Sequence, residues 1–208
     1  LCNETGFIGS EPNTYMTDLQ TLLAGFIKSG VPFVTYRKPG DREIFVMTFE
    51  PEGIQELVGY NQLNQQAGFV FHPYTATSRE AALFLKPSTL LTIGQGDSGF
   101  NTGALNGTNK ENGFPDYFPL PPDEIRNSYK WGLNEILSAI GRGEIQKAIL
   151  SRTEFVPDYS VQQAPEMLVR LFDNYPAAFI YLLYLPGRMA WMGASPEILL
   201  ERKGNNCQ

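Results

Sequence analysis

Lys147 stands in the middle of an otherwise apolar run, Ile145-Gln146-Lys147-Ala148-Ile149-Leu150, and Glu197 closes a turn of small residues, Gly193-Ala194-Ser195-Pro196-Glu197. If the run is a strand, alternation puts Lys147 on the same face as Ile145 and Ile149. A lysine pressed against aliphatics loses the hydration of its ammonium and can serve as a general base. A carboxyl in an apolar or anionic setting stays protonated and can serve as a general acid. Each residue also has a purely structural reading. The lysine could guard a sheet edge against aggregation, or snorkel to water, and the glutamate could be a solvated acid at the end of a turn.

Other chemical patterns weigh less. Gly94-Gln95-Gly96-Asp97-Ser98-Gly99 matches GxGxxG and follows the apolar run LLTI, but the next residues, FNTGALNGTNKENG, cannot form the helix whose N-terminus must hold a pyrophosphate. A surface loop is expected there. The single histidine, His72, lies between Phe71 and Pro73 at a strand end and is given no role. No GxSxG elbow accompanies it, so a serine or cysteine triad has no support. Cys2 and Cys207 sit at opposite ends with no ligand partner at metal-binding spacing, which makes neither a disulfide framework nor a zinc site.

These candidates belong to a chain of 208 residues, 42% hydrophobic and 18% charged, against about 25% charged in an average globular protein. Such a chain folds. The net charge of -6, with no basic run, speaks against nucleic acid or an anionic membrane as partner and leaves small soluble substrates open. The longest apolar run, Ala177 to Leu185, is nine residues, far short of the roughly 18 that cross a bilayer. The stretch LCNETGFIGSEP lacks the basic start and apolar core of a signal peptide, so the cytoplasm is the expected location.

The elements that must position Lys147 and Glu197 follow from periodicity. Tyr15, Leu19, Leu22, Leu23 and Phe26 predict a helix over 14–28 with Ser29-Gly30 as its stop. VPFVTYR and EIFVMTFE predict a hairpin across Lys38-Pro39-Gly40-Asp41, and FVFHPY a short strand. A long irregular loop rich in Gly, Asn and Pro is expected from Gly94 to Pro122. It divides the chain into two halves, 1–93 and 123–208. Asp123 is expected to cap a helix with Ile125, Tyr129, Leu133, Ile136, Leu137 and Ile140 on its apolar face, ended by Gly141-Arg142-Gly143. A strand is predicted at EIQKAILSRTEFV (144–156). A helix from about Pro165 follows, with Met167, Leu168, Leu171 and Phe172 apolar. AAFIYLLYL and RMAWMGA are strands joined across Pro186-Gly187, and EILLERKG begins another. Sequentially paired strands with intervening helices predict an α+β fold on antiparallel sheet.

EIQKAILSR (144–152), followed in order by YPAAFIYLLYLPGRMAWMGASPEILLE (175–201), resembles the central part of the chorismate-utilising enzymes, the anthranilate synthase component I-like family, and within it the isochorismate synthases. The resemblance implies displacement of the hydroxyl at ring carbon 4 of chorismate by a nucleophile arriving at carbon 2, with magnesium (Mg2+) required. In isochorismate synthases that nucleophile is water. The implied roles fall on Lys147 as the base that activates it and on Glu197 as the acid that protonates the leaving hydroxyl. Exchanging one hydroxyl for another needs both, since water is a poor nucleophile and hydroxide a poor leaving group. Bringing a lysine from a pKa of about 10.4 to near 7 takes about 4.6 kcal/mol, which burial against Ile145 and Ile149 is expected to supply. Members that use ammonia typically have glutamine at the position of Lys147.

By the same resemblance, the magnesium carboxylates and the substrate-binding residues lie downstream of the GASPE strand. The chain is therefore expected to be the N-terminal portion of one chorismate-binding domain over 1–208, inactive without the C-terminal half. Salicylate synthase, which shares the lysine and adds pyruvate elimination, is the alternative inside the family, with an anthranilate or aminodeoxychorismate synthase-like enzyme behind it. A noncatalytic fragment or binding module is the alternative outside it. The pathway served, menaquinone or siderophore formation, is left open.

Overall fold

The computed structural model describes residues 14–57, 63, 66–72, 82–94, 122–154, 156, 159–197, 202–203 and 206–207. They belong to two compact units, one drawn from Leu1–Phe114 and Ser160–Gln208, the other from Pro115–Tyr159. The loop expected between Gly94 and Pro122 lies outside the described residues except at its two ends, and so does most of the GxGxxG pattern.

The first unit begins with α1 (Thr14–Ser29), whose stripe of Tyr15, Leu19, Leu22, Leu23 and Phe26 is buried throughout. Gly30, at φ 66, ends it in a Schellman turn: Val31 N–H donates to Phe26 O at 2.9 Å and Gly30 N–H to Ile27 O at 3.2 Å. The hairpin of β1 (Phe33–Arg37) and β2 (Ile44–Thr48) then turns at Gly40, φ 71, as the Lys-Pro-Gly-Asp sequence predicts. The hairpin of β7 (Phe179–Leu185) and β8 (Met189–Ser195) turns at Gly187. Together with β6 (Thr89–Ile93) these strands form a five-stranded antiparallel sheet in the order β6-β2-β1-β7-β8. A second antiparallel sheet joins β3 (Ile54–Leu57), β5 (Ala82–Leu85) and β4 (Phe69–Phe71), with β5 in the middle. A two-residue pairing of β9 (Arg202–Lys203) with β10 (Asn206–Cys207) is what is described of the strand expected at 197–204.

Alternation along β1 explains the layering. Phe33 points to a core shared with α1 and α3 (Ala164–Asn174), where Leu168 and Phe172 are buried. Val34 points to the opposite core, where Met47, Leu183 and Leu185 meet Leu83 and Leu85 of the second sheet. Helices thus cover one face of the large sheet and the small sheet covers the other. The fold of this unit is α+β with antiparallel sheets, as expected. Met167, expected on the apolar side of α3, is exposed instead.

Arg37, on the helix side of β1, is buried although charged. Its Nη2 donates to the carbonyls of Phe172 (2.9 Å) and Tyr175 (3.1 Å) at the end of α3, and its guanidinium lies 4.7 Å from the Phe172 ring centroid. Burial lowers its pKa, opposed by the charges of Tyr15, Asp173 and Asp41. The Phe172 carbonyl thereby gains a partner, since the residue four positions on, Pro176, has no N–H to offer. Replacing Arg37 by Leu strands that carbonyl, at a cost of about 1–3 kcal/mol for a buried unsatisfied group, while Tyr175 O keeps the Ala178 N–H at 3.1 Å. The unfolding free energy should fall by that amount, read as a lower urea midpoint with the slope unchanged. An unmoved midpoint would show that the pairing adds nothing.

The second unit contains α2 (Pro122–Gly141) and the extended residues that follow it. Its end matches expectation, with Gly143 at φ 74 in a second Schellman turn, Glu144 N–H donating to Ala139 O and Gly143 N–H to Ile140 O, both at 3.0 Å. Its start does not. The helix begins at Pro122, so Asp123 lies inside the first turn, where its charge faces the helix dipole, rather than at the cap. Of the expected apolar face, Ile125, Tyr129 and Ile136 are half-buried, whereas Leu133, Leu137 and Ile140 are exposed.

The strand expected over 144–156 is not formed among the described residues. A strand needs a neighbour to take its N–H and C=O groups, and every described strand belongs to the other unit. Ile145 is 38% exposed and Ile149 83% exposed. The pattern that suggested a buried strand is present, but nothing described covers it.

Candidate active site

Glu197 is presented by the hairpin of β7 and β8. The turn at 186–188 sets the register Leu185↔Met189, which places Tyr181 opposite Gly193 and Phe179 opposite Ser195. Met189, Trp191 and Gly193 then share the face toward the second sheet: Met189 packs on its core and Trp191 meets Phe71 edge-on at 6.0 Å. Tyr181 sits on the same face between Phe179 (5.9 Å) and Phe69 (6.2 Å). Burial pushes the Tyr181 phenol above its ordinary pKa, against a hydrogen bond from Trp191 that works the other way. Beyond the strand, Ser195 Oγ donates to Glu197 O at 3.2 Å and closes the GASPE turn. The Glu197 side chain is exposed.

Lys147 belongs to the other unit. Leu150 packs on α2 at Gly132, its methyls lying 3.5 and 3.7 Å from the position a Cβ there would take, an ordinary contact distance. Arg152 stands 5.7 Å from the Tyr129 ring centroid and pairs with Glu154 at 3.2 Å. Arg142 grips Glu144 through two hydrogen bonds, at 2.6 and 3.0 Å, and that pairing holds the Glu144 carboxyl below the usual carboxylate range. Between these anchors Lys147 is exposed, and so are Ile145 and Ile149. The expectation that these two isoleucines bury the lysine is therefore corrected, because nothing described in its own unit covers the segment. Lys147 and Glu197 lie on separate units, and each is placed only within its own.

Among the described residues, no group of three or more His, Cys, Asp or Glu could hold a metal ion. The described residues thus offer no magnesium site, and no step is routed through the metal. His72, at the end of β4, is exposed. No described helix is long and apolar enough to cross a membrane. The sequence reading missed Tyr181, Gly193 and Trp191. Counting back from a two-residue Pro186-Gly187 turn pairs 181 with 192, and only the three-residue turn at 186–188 brings 181 opposite 193.

A family model of chorismate binding enzymes matches residues 52–208. This is more than half of the chain and includes both Lys147 and Glu197. The chain belongs to the chorismate-binding enzyme family, whose chemistry is the conversion of chorismate. No curated protein and no solved structure matches it.

Proposed function

We propose that the chain carries the base and the acid of an isochorismate synthase. Lys147 takes a proton from the water that attacks carbon 2 of chorismate, and Glu197 gives a proton to the hydroxyl that leaves carbon 4. The observation that carries this reading is the lysine at position 147, within EIQKAILSR, where a resemblance to the ammonia-using members leads one to expect glutamine. Family membership supports chorismate as the substrate. Water demands a base, whereas ammonia already has a free lone pair, so the residue type at this position fits the nucleophile.

Both side chains are exposed, and a neutral lysine and a protonated glutamate each need a drier setting. The reading therefore includes a covering layer over 144–154 and the GASPE turn, supplied when this chain works with a C-terminal half that also brings the magnesium ligands. The setting proposed is the cytoplasm.

The test is a product analysis on the full-length polypeptide, with chorismate, with and without magnesium, and with ammonium present or absent. Isochorismate as the sole product, dependent on magnesium and indifferent to ammonium, is the expected result. Appearance of pyruvate with salicylate would assign the runner-up, salicylate synthase, which Lys147 fits equally. Amino products formed only with ammonium would overturn the water reading. No conversion at all would return the chain to a noncatalytic role.

A further inference from the structure

Gly193 has no backbone reason to be glycine, since its φ is not in the left-handed region. Its reason is steric. A Cβ at this position would lie 2.6 Å from Tyr181 Cε1, 2.9 Å from Cζ and 3.0 Å from the hydroxyl. Contacts of that length force something to move, and the ring is poorly placed to yield. Phe69 and Phe179 flank it, with centroids at 6.2 and 5.9 Å, and Trp191, which meets Phe71 edge-on, lies on the same face of the hairpin. A glycine in a strand interior weakens the strand and marks a close approach by another group. Here the approaching group is one aromatic ring laid across the residue that opens the GASPE turn.

The position in the sheet adds a second observation. Among the described residues β8 pairs with β7 alone, so its other edge supplies no hydrogen bonds that fix its path. Among the described residues, the end of β8 is held by its ladder to β7 and by the Tyr181 ring seated on Gly193. Three residues separate Gly193 from Glu197, and the intervening turn is closed by the bond from Ser195 to the Glu197 carbonyl. A shift of the strand at Gly193 is passed along this short, tied turn rather than absorbed by it.

We infer that Tyr181 is a positioning residue for Glu197: its ring, seated on Gly193, sets where the GASPE turn holds the carboxyl. This rests on the reading of Glu197 as the general acid. It differs from simple aromatic cover of an edge glycine, which contributes stability and nothing more. Misplacing a catalytic group by about 1 Å costs on the order of 10²-fold in rate, so the two roles separate in kinetics.

The experiment compares Gly193→Ala, Tyr181→Leu, their double variant and Glu197→Gln in the full-length enzyme. It measures kcat and KM for chorismate together with the melting temperature. Gly193→Ala is expected to lower kcat by about 10²-fold with KM unchanged, because the methyl displaces the strand and not the substrate. Leucine lacks the three atoms that the new methyl meets, so the double variant should regain much of that kcat. Should Gly193→Ala fail to fold, Tyr181→Leu carries the test, since it opens space rather than crowding it and is also expected to lower kcat at constant KM. Wild-type kcat in the folded single variants, with only a lower melting temperature, overturns the inference while a collapsed Glu197→Gln leaves the acid assignment standing. Wild-type turnover in Glu197→Gln overturns both.

Discussion

Replacing Glu197 by Gln should lower chorismate turnover by about 10²- to 10⁴-fold, the range that general acid catalysis supplies, while chorismate binding largely survives. Glutamine keeps the shape of the side chain and can donate a hydrogen bond, but it has no proton to give. The hydroxyl at carbon 4 then has to leave as hydroxide, a poor leaving group, and the barrier rises at that step alone. An interaction made only in the transition state lowers kcat and kcat/KM together, so the KM for chorismate is expected to hold. The opposite reading has equal clarity. Glu197 is exposed at the end of a turn, and an exposed glutamate exchanged for glutamine changes stability by no more than about 0.5 kcal/mol and rate not at all. Turnover equal to that of the wild type in the full-length enzyme assigns Glu197 to the turn and removes it from the chemistry.

What could be read ahead of the structure was whatever is encoded within a few residues of itself. α1 and its Gly30 stop, the turn at Gly40 and the turn at Gly187 each carry their own signal: a 3.6-residue stripe, or glycine at a positive φ between two β-rich runs. Pairing across distance carries none. β1 has β7 as one neighbour, with Phe33 opposite Tyr184, although the two are separated by most of the chain. Nothing in either strand names the other. The same holds for the second sheet, whose strands β3 and β5 are short and whose central position for β5 shows only in its complete burial.

The failure at 144–156 has a different cause. Alternation there, Ile145, Lys147 and Ile149 on one face, is the pattern of a half-buried strand, but a pattern states what a segment can do once a partner arrives. Within Pro115–Tyr159 the described residues offer a helix and no strand, so the segment stays extended and open. Both candidate residues were found because their types conflict with their surroundings, a lysine among aliphatics and an acid after small residues. Tyr181 and Gly193 raise no such conflict: a tyrosine and a glycine in strands are ordinary until the register lays the ring where a Cβ on Gly193 would meet it at 2.6 Å.

Lys147→Gln should abolish most isochorismate formation in the full-length enzyme, and whatever chemistry survives should favour high ammonia at alkaline pH. Glutamine can orient a small nucleophile through its amide but cannot accept a proton from water, and without that transfer the attack at carbon 2 stalls. Neutral ammonia needs no such transfer before it attacks, and its fraction grows as pH rises, which sets the direction of the expected pH dependence. The effect also depends on the covering layer. In this chain Lys147 is exposed beside an Ile149 that is 83% exposed, and an ammonium has no lone pair with which to take a proton. The wild-type rate should therefore rise only when residues 144–154 are covered, since burial is what disfavours the charged form of a lysine. A lysine with no role beyond the surface predicts something else, a change in stability within about 0.5 kcal/mol and an untouched rate. Chorismate consumption by this one variant, with the products separated in ammonium and ammonium-free buffers, decides between them, and an unchanged rate of isochorismate production removes Lys147 as the base.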